Sequence, residues 1–174
     1  MTLATRRSIR DTFPIRYVCI DLGDRRTGLA SGDSATGVVS PLSVIEVELQ
    51  HGGGAPLLEA VARAVEDQLG DNPRHQRGEV VIGVPLNMDG SVGPRVQIVR
   101  AFAARLQSRL GRAVHEQDER LTSVQADWEM AQTGLTHQQK KERRDALAAA
   151  AILSDFLEAR KNAPADPTHD RGVW

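Results

Sequence analysis

The chain's 174 residues are 40% hydrophobic and 26% charged, with a net charge of −1. That balance is a globular one, enough for one domain with a full core and too small for two ordinary ones, and it excludes a global basic field that would draw in nucleic acid. No apolar run is long enough to span a bilayer, residues 1–10 lack the apolar stretch of a signal peptide, and the lone Cys19 permits neither a disulfide framework nor a thiolate metal site; the expectation is a cytoplasmic protein without a membrane partner.

Residues 1–14 are polar and arginine-rich and are expected to form a mobile extension. The first strand is predicted over 15–21, an apolar run that delivers Asp21 into the turn at Gly23–Arg26. A short strand (27–31) and a third (38–47) follow across tight turns. Connections this short favour an antiparallel meander, because parallel neighbours need a long crossover. His51 to Gly54 reads as a flexible loop and Pro56 as the first turn of a helix. Leu57, Leu58, Val61, Ala62, Val65 and Leu69 then recur at helical spacing. The unalternating apolar run 79–84 predicts a strand buried on both faces. Residues 85–94 form a turn-rich loop, and Val96, Val99, Phe102, Ala103, Leu106 and Leu110 mark a second helix. A fifth strand is expected over 113–118. Thr122 with Gln125 and Thr136 with Gln139 fit capping boxes, opening helices that end near residues 134 and 160. The domain thus spans 15–161, with a tail over 162–174. Its order is β-β-β-α-β-α-β-α-α: a mixed five-stranded sheet with helices on its faces.

With the first, fourth and fifth strands parallel, Asp21, the loop after the fourth strand and Asp118–Glu119 emerge together at carboxyl ends, where open α/β sheets bind ligands. Asp21 is either a turn aspartate or a hard oxygen ligand for Mg²⁺ or Mn²⁺. Alternation sends Asp118 and Glu119 to opposite sides, so one of them faces the shared site. Asp145 falls on the stripe Ala149, Ile152, Phe156 and therefore faces the sheet. A buried carboxylate there needs a metal or a cation partner such as Arg143 or Arg144. Three converging carboxylates fit a two-metal phosphodiester hydrolysis. Only 3% of residues are aromatic, so nucleic acid would be held through phosphates rather than by stacking. Arg25, Arg26, Asn87, Arg120, Lys140 and Lys141 are the candidate substrate contacts. The five histidines show no ligand spacing.

The segment from Ile20 to Ala30 (IDLGDRRTGLA) resembles the opening motif of the YqgF-type proteins, which are described as Holliday junction resolvases and as pre-16S rRNA nucleases. Val80 to Gly90 (VVIGVPLNMDG), Asp118 to Ser123 (DERLTS) and Arg144 to Ala149 (RDALAA) are similar to the family's later motifs, in order. The resemblance implies an RNase H-like fold with an acidic site of Asp21, Asp118–Glu119 and Asp145 holding Mg²⁺ or Mn²⁺. It implies trimming of the 5′ end of precursor 16S rRNA, or cutting of branched DNA. Asp24 departs from the family's usual Thr, and Ala146 from a common Ser. Two other readings remain at this level. One is a ribosome-assembly or transcription-associated factor that binds in the same groove without cutting. The other is a nucleotide site like that of the actin and sugar-kinase superfamily, which needs two such domains. A junction resolvase needs a two-fold dimer to cut symmetrically, whereas an end-trimming nuclease can be a monomer.

Overall fold

The structure, a computed structural model, describes residues 14–74, 77–119 and 137–162, with side chains in the last segment from residue 144. Residues 1–13, the helix expected over 122–134 and both capping boxes' threonines lie outside the described residues, as does the tail beyond Asn162.

Five strands form one sheet: β1 (Arg16–Leu22), β2 (Thr27–Asp33), β3 (Val39–Ile45), β4 (Gly78–Val84) and β5 (Val114–Asp118), in the spatial order β3-β2-β1-β4-β5. The meander is antiparallel, while β1–β4 and β4–β5 are parallel. The short 22–27 and 33–39 connections permit only hairpins. The later strands are reached through the helices α1 (Ala55–Leu69) and α2 (Pro94–Leu110). The third strand is shorter than expected and lies at the sheet edge. Pro41, which has no N–H to donate, sits where its register slips against Leu29 and Ala30. The glycine run after it is a 3-10 turn rather than a flexible loop: Gly52, Gly53 and Gly54 all take positive φ, and Arg105 Nη1 donates to Gly53 O at 3.0 Å.

Alternation along β1 divides the core. Val18, Ile20 and Leu22 pack with Val80, Ile82 and Val84 under α1 and α2. Tyr17 and Cys19 pack with Ala30 and Val81 under α3 (His137–Asn162). Helices thus cover both faces. Ala149 and Ala150, both fully buried, let α3 lie close to the sheet, with Ile152, Leu153, Phe156 and Leu157 completing its apolar stripe. The α2 helix is fastened by ion pairs: Arg100 to Glu116 of β5 at 2.9 Å, and Arg109 to Glu59 and Glu66 of α1 at 3.1 and 2.8 Å. Arg112, almost fully buried, donates to the carbonyls of Gly78, Leu69 and Gly70 at 3.1, 3.0 and 2.8 Å. It closes the end of the sheet opposite the carboxyl ends of the parallel strands.

Candidate active site

The β1 alternation that puts Tyr17 and Cys19 against α3 puts Asp21 on that face too, at the strand's last turn before water. What makes room for a carboxylate there is a pair of glycines. Gly28 of β2 pairs directly with Asp21. A Cβ on Gly28 would run into the backbone carbonyl of Asp145, so only glycine lets α3 come down against this row. In β4, Gly83 follows Ile82, the register partner of Ile20. A Cβ there would lie 2.5 Å from Glu119 Oε1 and 2.8 Å from Ile152 Cδ1. Glycine inside a strand pattern is the sequence signal for such close approach, although both positions passed in the sequence as ordinary strand residues.

The fifth strand settles which of its two terminal acids faces Asp21. His115 lies on the α3 side, its ring 5.5 Å from that of Phe156. Glu116 lies on the α2 side with Arg100. Continuing the alternation leaves Asp118 on the α2 side and brings Glu119, just past the strand, over Gly83 toward Asp21.

The charges register this crowding. Burial, then the charge of Asp145, push the Asp21 carboxyl up to about 6, with Arg95 pulling the other way. Burial, then the charge of Asp21, push Glu119 up to about 7, again opposed by Arg95, with Asp118 adding to the rise. Two half-buried carboxylates, each raised by burial and by a neighbouring acid, make a donor set suited to a hard divalent cation. Asp145 stands near enough to Asp21 to raise it, with its own carboxylate engaged. Arg26 Nε lies 2.9 Å from Asp145 Oδ2, as an ion pair rather than an aligned hydrogen bond. The cation partner seen at Asp145 is Arg26, while the side chain of Arg143 lies outside the described residues. Among the described residues no three acidic, histidine or cysteine side chains close on one point. Asp21, Glu119 and Asp145 carry oxygen donors of the kind a hard divalent cation takes, with Asp145 engaged by Arg26.

Arg95, absent from the sequence expectations, is the cation common to both shifted carboxylates. It sits one residue after the proline that opens α2, donates through Nη2 to Leu22 O at 2.5 Å, and pairs through Nη1 with Asp24. The unusual Asp24 thus has its charge answered, and its carbonyl accepts from Leu49 N at 2.8 Å. No spacing in the sequence marks a helix-opening arginine as reaching two strand ends. Of the expected substrate contacts, Arg25 is exposed and pairs with Glu48 at 3.5 Å. Arg26 is held at Asp145, with Glu46 at 3.7 Å. Asn87 Nδ2 donates to Ser91 Oγ within its own loop. Arg120 and the side chains of Lys140 and Lys141 lie outside the described residues.

A β3-β2-β1-β4-β5 sheet carrying acidic groups at the carboxyl ends of β1 and β5 and on the last helix is an RNase H-like fold. The fowlpox virus resolvase, in a structure with its substrate Holliday junction DNA, shares it. The TM-score is 0.52 at 12% identity, covering 84% of this chain and 99% of that one. Residues 15–159 match the family described as "RuvX: Holliday junction resolvase", and the chain belongs to that family. A relative from Thiobacillus denitrificans is 38% identical over 146 residues, 84% of this chain and 93% of its own. One from Chloroflexus aurantiacus is 36% identical over 149 residues, 84% and 89% respectively. Both carry the name "Putative pre-16S rRNA nuclease".

Proposed function

We propose that this chain is a divalent-metal-dependent endonuclease that hydrolyses phosphodiester bonds of structured nucleic acid, processing the 5′ end of precursor 16S rRNA in the cytoplasm. The observation that supports the reading is the electrostatic coupling of Asp21 to Asp145 and of Glu119 to Asp21, carried by β1, α3 and the end of β5 beside Gly28 and Gly83. A structural cluster has no need to crowd carboxylates until two of them lose their ordinary acidity. The names of the relatives supply the substrate.

Asp21, Glu119 and Asp145 would hold Mg²⁺ or Mn²⁺, with Asp118 adding negative charge beside Glu119. Bound there, the cations supply an activated water and neutralise charge on the leaving oxygen. Arg25, Arg26, Arg120, Lys140 and Lys141 would serve as phosphate contacts, and Asn87 acts by shaping its loop. The partner is RNA within a small-subunit precursor, engaged by a monomer or a homodimer. Among the described residues no helix is long and apolar enough to cross a membrane.

The test is cleavage of a labelled leader RNA by the protein and by Asp21→Asn and Asp145→Asn. Metal-dependent cutting lost in both variants is expected, and full cutting by either would remove the assignment. A second reading, cutting of branched DNA, is favoured by the family's description and by the fold shared with the fowlpox enzyme.

A further inference from the structure

The loop joining β4 to α2, residues 85–93, leaves and returns beside the acidic site. Both of its ends are fixed there. Val84 pairs with Asp118, Gly83 packs on Glu119, and Arg95, just beyond the loop, bonds Leu22 and Asp24. Between those ends the loop closes on itself. Asn87 N donates to Ser91 O at 3.1 Å and Gly90 N to Asn87 O at 2.8 Å. Asn87 Nδ2 donates to Ser91 Oγ at 2.8 Å, and Ser91 N to Asp89 Oδ1 at 2.9 Å. Gly90 supplies the positive φ (81°) that the turn requires. The product of this construction is a self-bonded tip that carries Met88 with 91% of its surface exposed; Val92, at 49%, follows it.

Single exposed apolar residues are common on protein surfaces and need no explanation by themselves. Met88 differs in its setting. It is carried on a self-bonded loop rather than a loose one, and that loop is anchored to the two strand ends that carry the acids. Apolar side chains, methionine among them, enter between base steps and unstack them. With so few aromatic residues in the chain, a polarizable thioether is the group at hand for contact with a base face.

We propose that Met88 is a wedge that enters the base stack beside the scissile phosphate. The enzyme therefore selects positions where stacking is already weak: a helix end, a bulge or a branch point. The inference rests on the nucleic-acid reading given above and deepens it by naming the structural class of substrate. Asn87, Asp89, Gly90 and Ser91 are the frame that holds the wedge upright.

The experiment uses two RNAs of matched sequence, one a continuous duplex and one with an unpaired end, each with 2-aminopurine next to the cut. Ca²⁺ replaces Mg²⁺ for the fluorescence measurement, to hold off cleavage. Wild-type protein is expected to raise the fluorescence of the open-ended RNA. Met88→Ala should lose most of that rise and Met88→Leu should keep it, with melting temperatures unchanged. In Mg²⁺, Met88→Ala should lower the ratio of kcat/KM on the open-ended over the continuous RNA on the order of tenfold. A Met88→Ala protein that keeps both the fluorescence rise and the ratio overturns the wedge alone. Wild-type protein that binds neither RNA overturns the wedge together with the nucleic-acid reading.

Discussion

At the scale of single residues, the site's defining property is that Asp21 and Glu119 hold protons well above the ordinary carboxylate range. A carboxyl whose pKa is higher in the folded than in the unfolded chain contributes stability in full below its unfolded pKa. It loses that stability as pH rises through the folded value. Metal-free protein should therefore lose stability between about pH 4 and pH 7, and Asp21→Asn should remove part of the loss. At pH 8 in chelator that variant is expected to be more stable than wild type by up to roughly 3 kcal/mol. The two should converge near pH 4 in thermal melts. A variant less stable than wild type at pH 8 would mean that the carboxylate is satisfied by its surroundings. The same protons must leave when a cation binds. Titration of Mg²⁺ or Mn²⁺ near pH 6.5 in buffers of different ionisation enthalpy should show proton release, absent when Asp21 and Glu119 are both replaced by their amides. Heats that do not depend on the buffer would contradict the two shifted groups.

The elements matter through how closely they approach. α3 reaches the site because Gly28 offers it bare backbone, so Gly28→Ala forces the helix away from β2 at Asp145. A loss of about 3 kcal/mol or more is expected, with cleavage falling further than stability. An unchanged melting temperature would mean that the helix is not seated there. The strand–helix order and the apolar stripes of α1, α2 and α3 were legible in the sequence, since burial imposes periods of two and 3.6 that composition alone can carry. So was the inward placement of Asp145, because a lone acid on an apolar stripe is a local anomaly. The choice of Glu119 over Asp118 was not, since it depends on where β5 ends relative to β4. Nor was the role of Arg95, whose contacts with Leu22 and Asp24 join residues about seventy positions apart. Long flexible side chains leave no periodic trace. Nor was the 3-10 turn at residues 51–54 legible, because the arginine that fastens it comes from α2.

For the whole molecule, the acidic site proposed in a chain of net charge −1 has to gather a polyanion through local basic groups. Lys140 and Lys141, in the first turns of α3, are the residues proposed to do so. Charge reversal at both should weaken RNA binding and reduce the slope of log affinity against log salt by about one to two, by loss of counterion release. An unchanged slope would make them a solvated helix face. The most direct test of the account is a cleavage assay. The protein and its Asp21→Asn variant are given labelled precursor 16S rRNA 5′-leader and a four-way DNA junction, with Mg²⁺, with Mn²⁺ and with chelator. The expected result is cutting of the leader that needs the cation and vanishes in the variant. Leader RNA bound by the protein but left whole in either metal would contradict the nuclease and make the chain a binding factor on a nuclease fold.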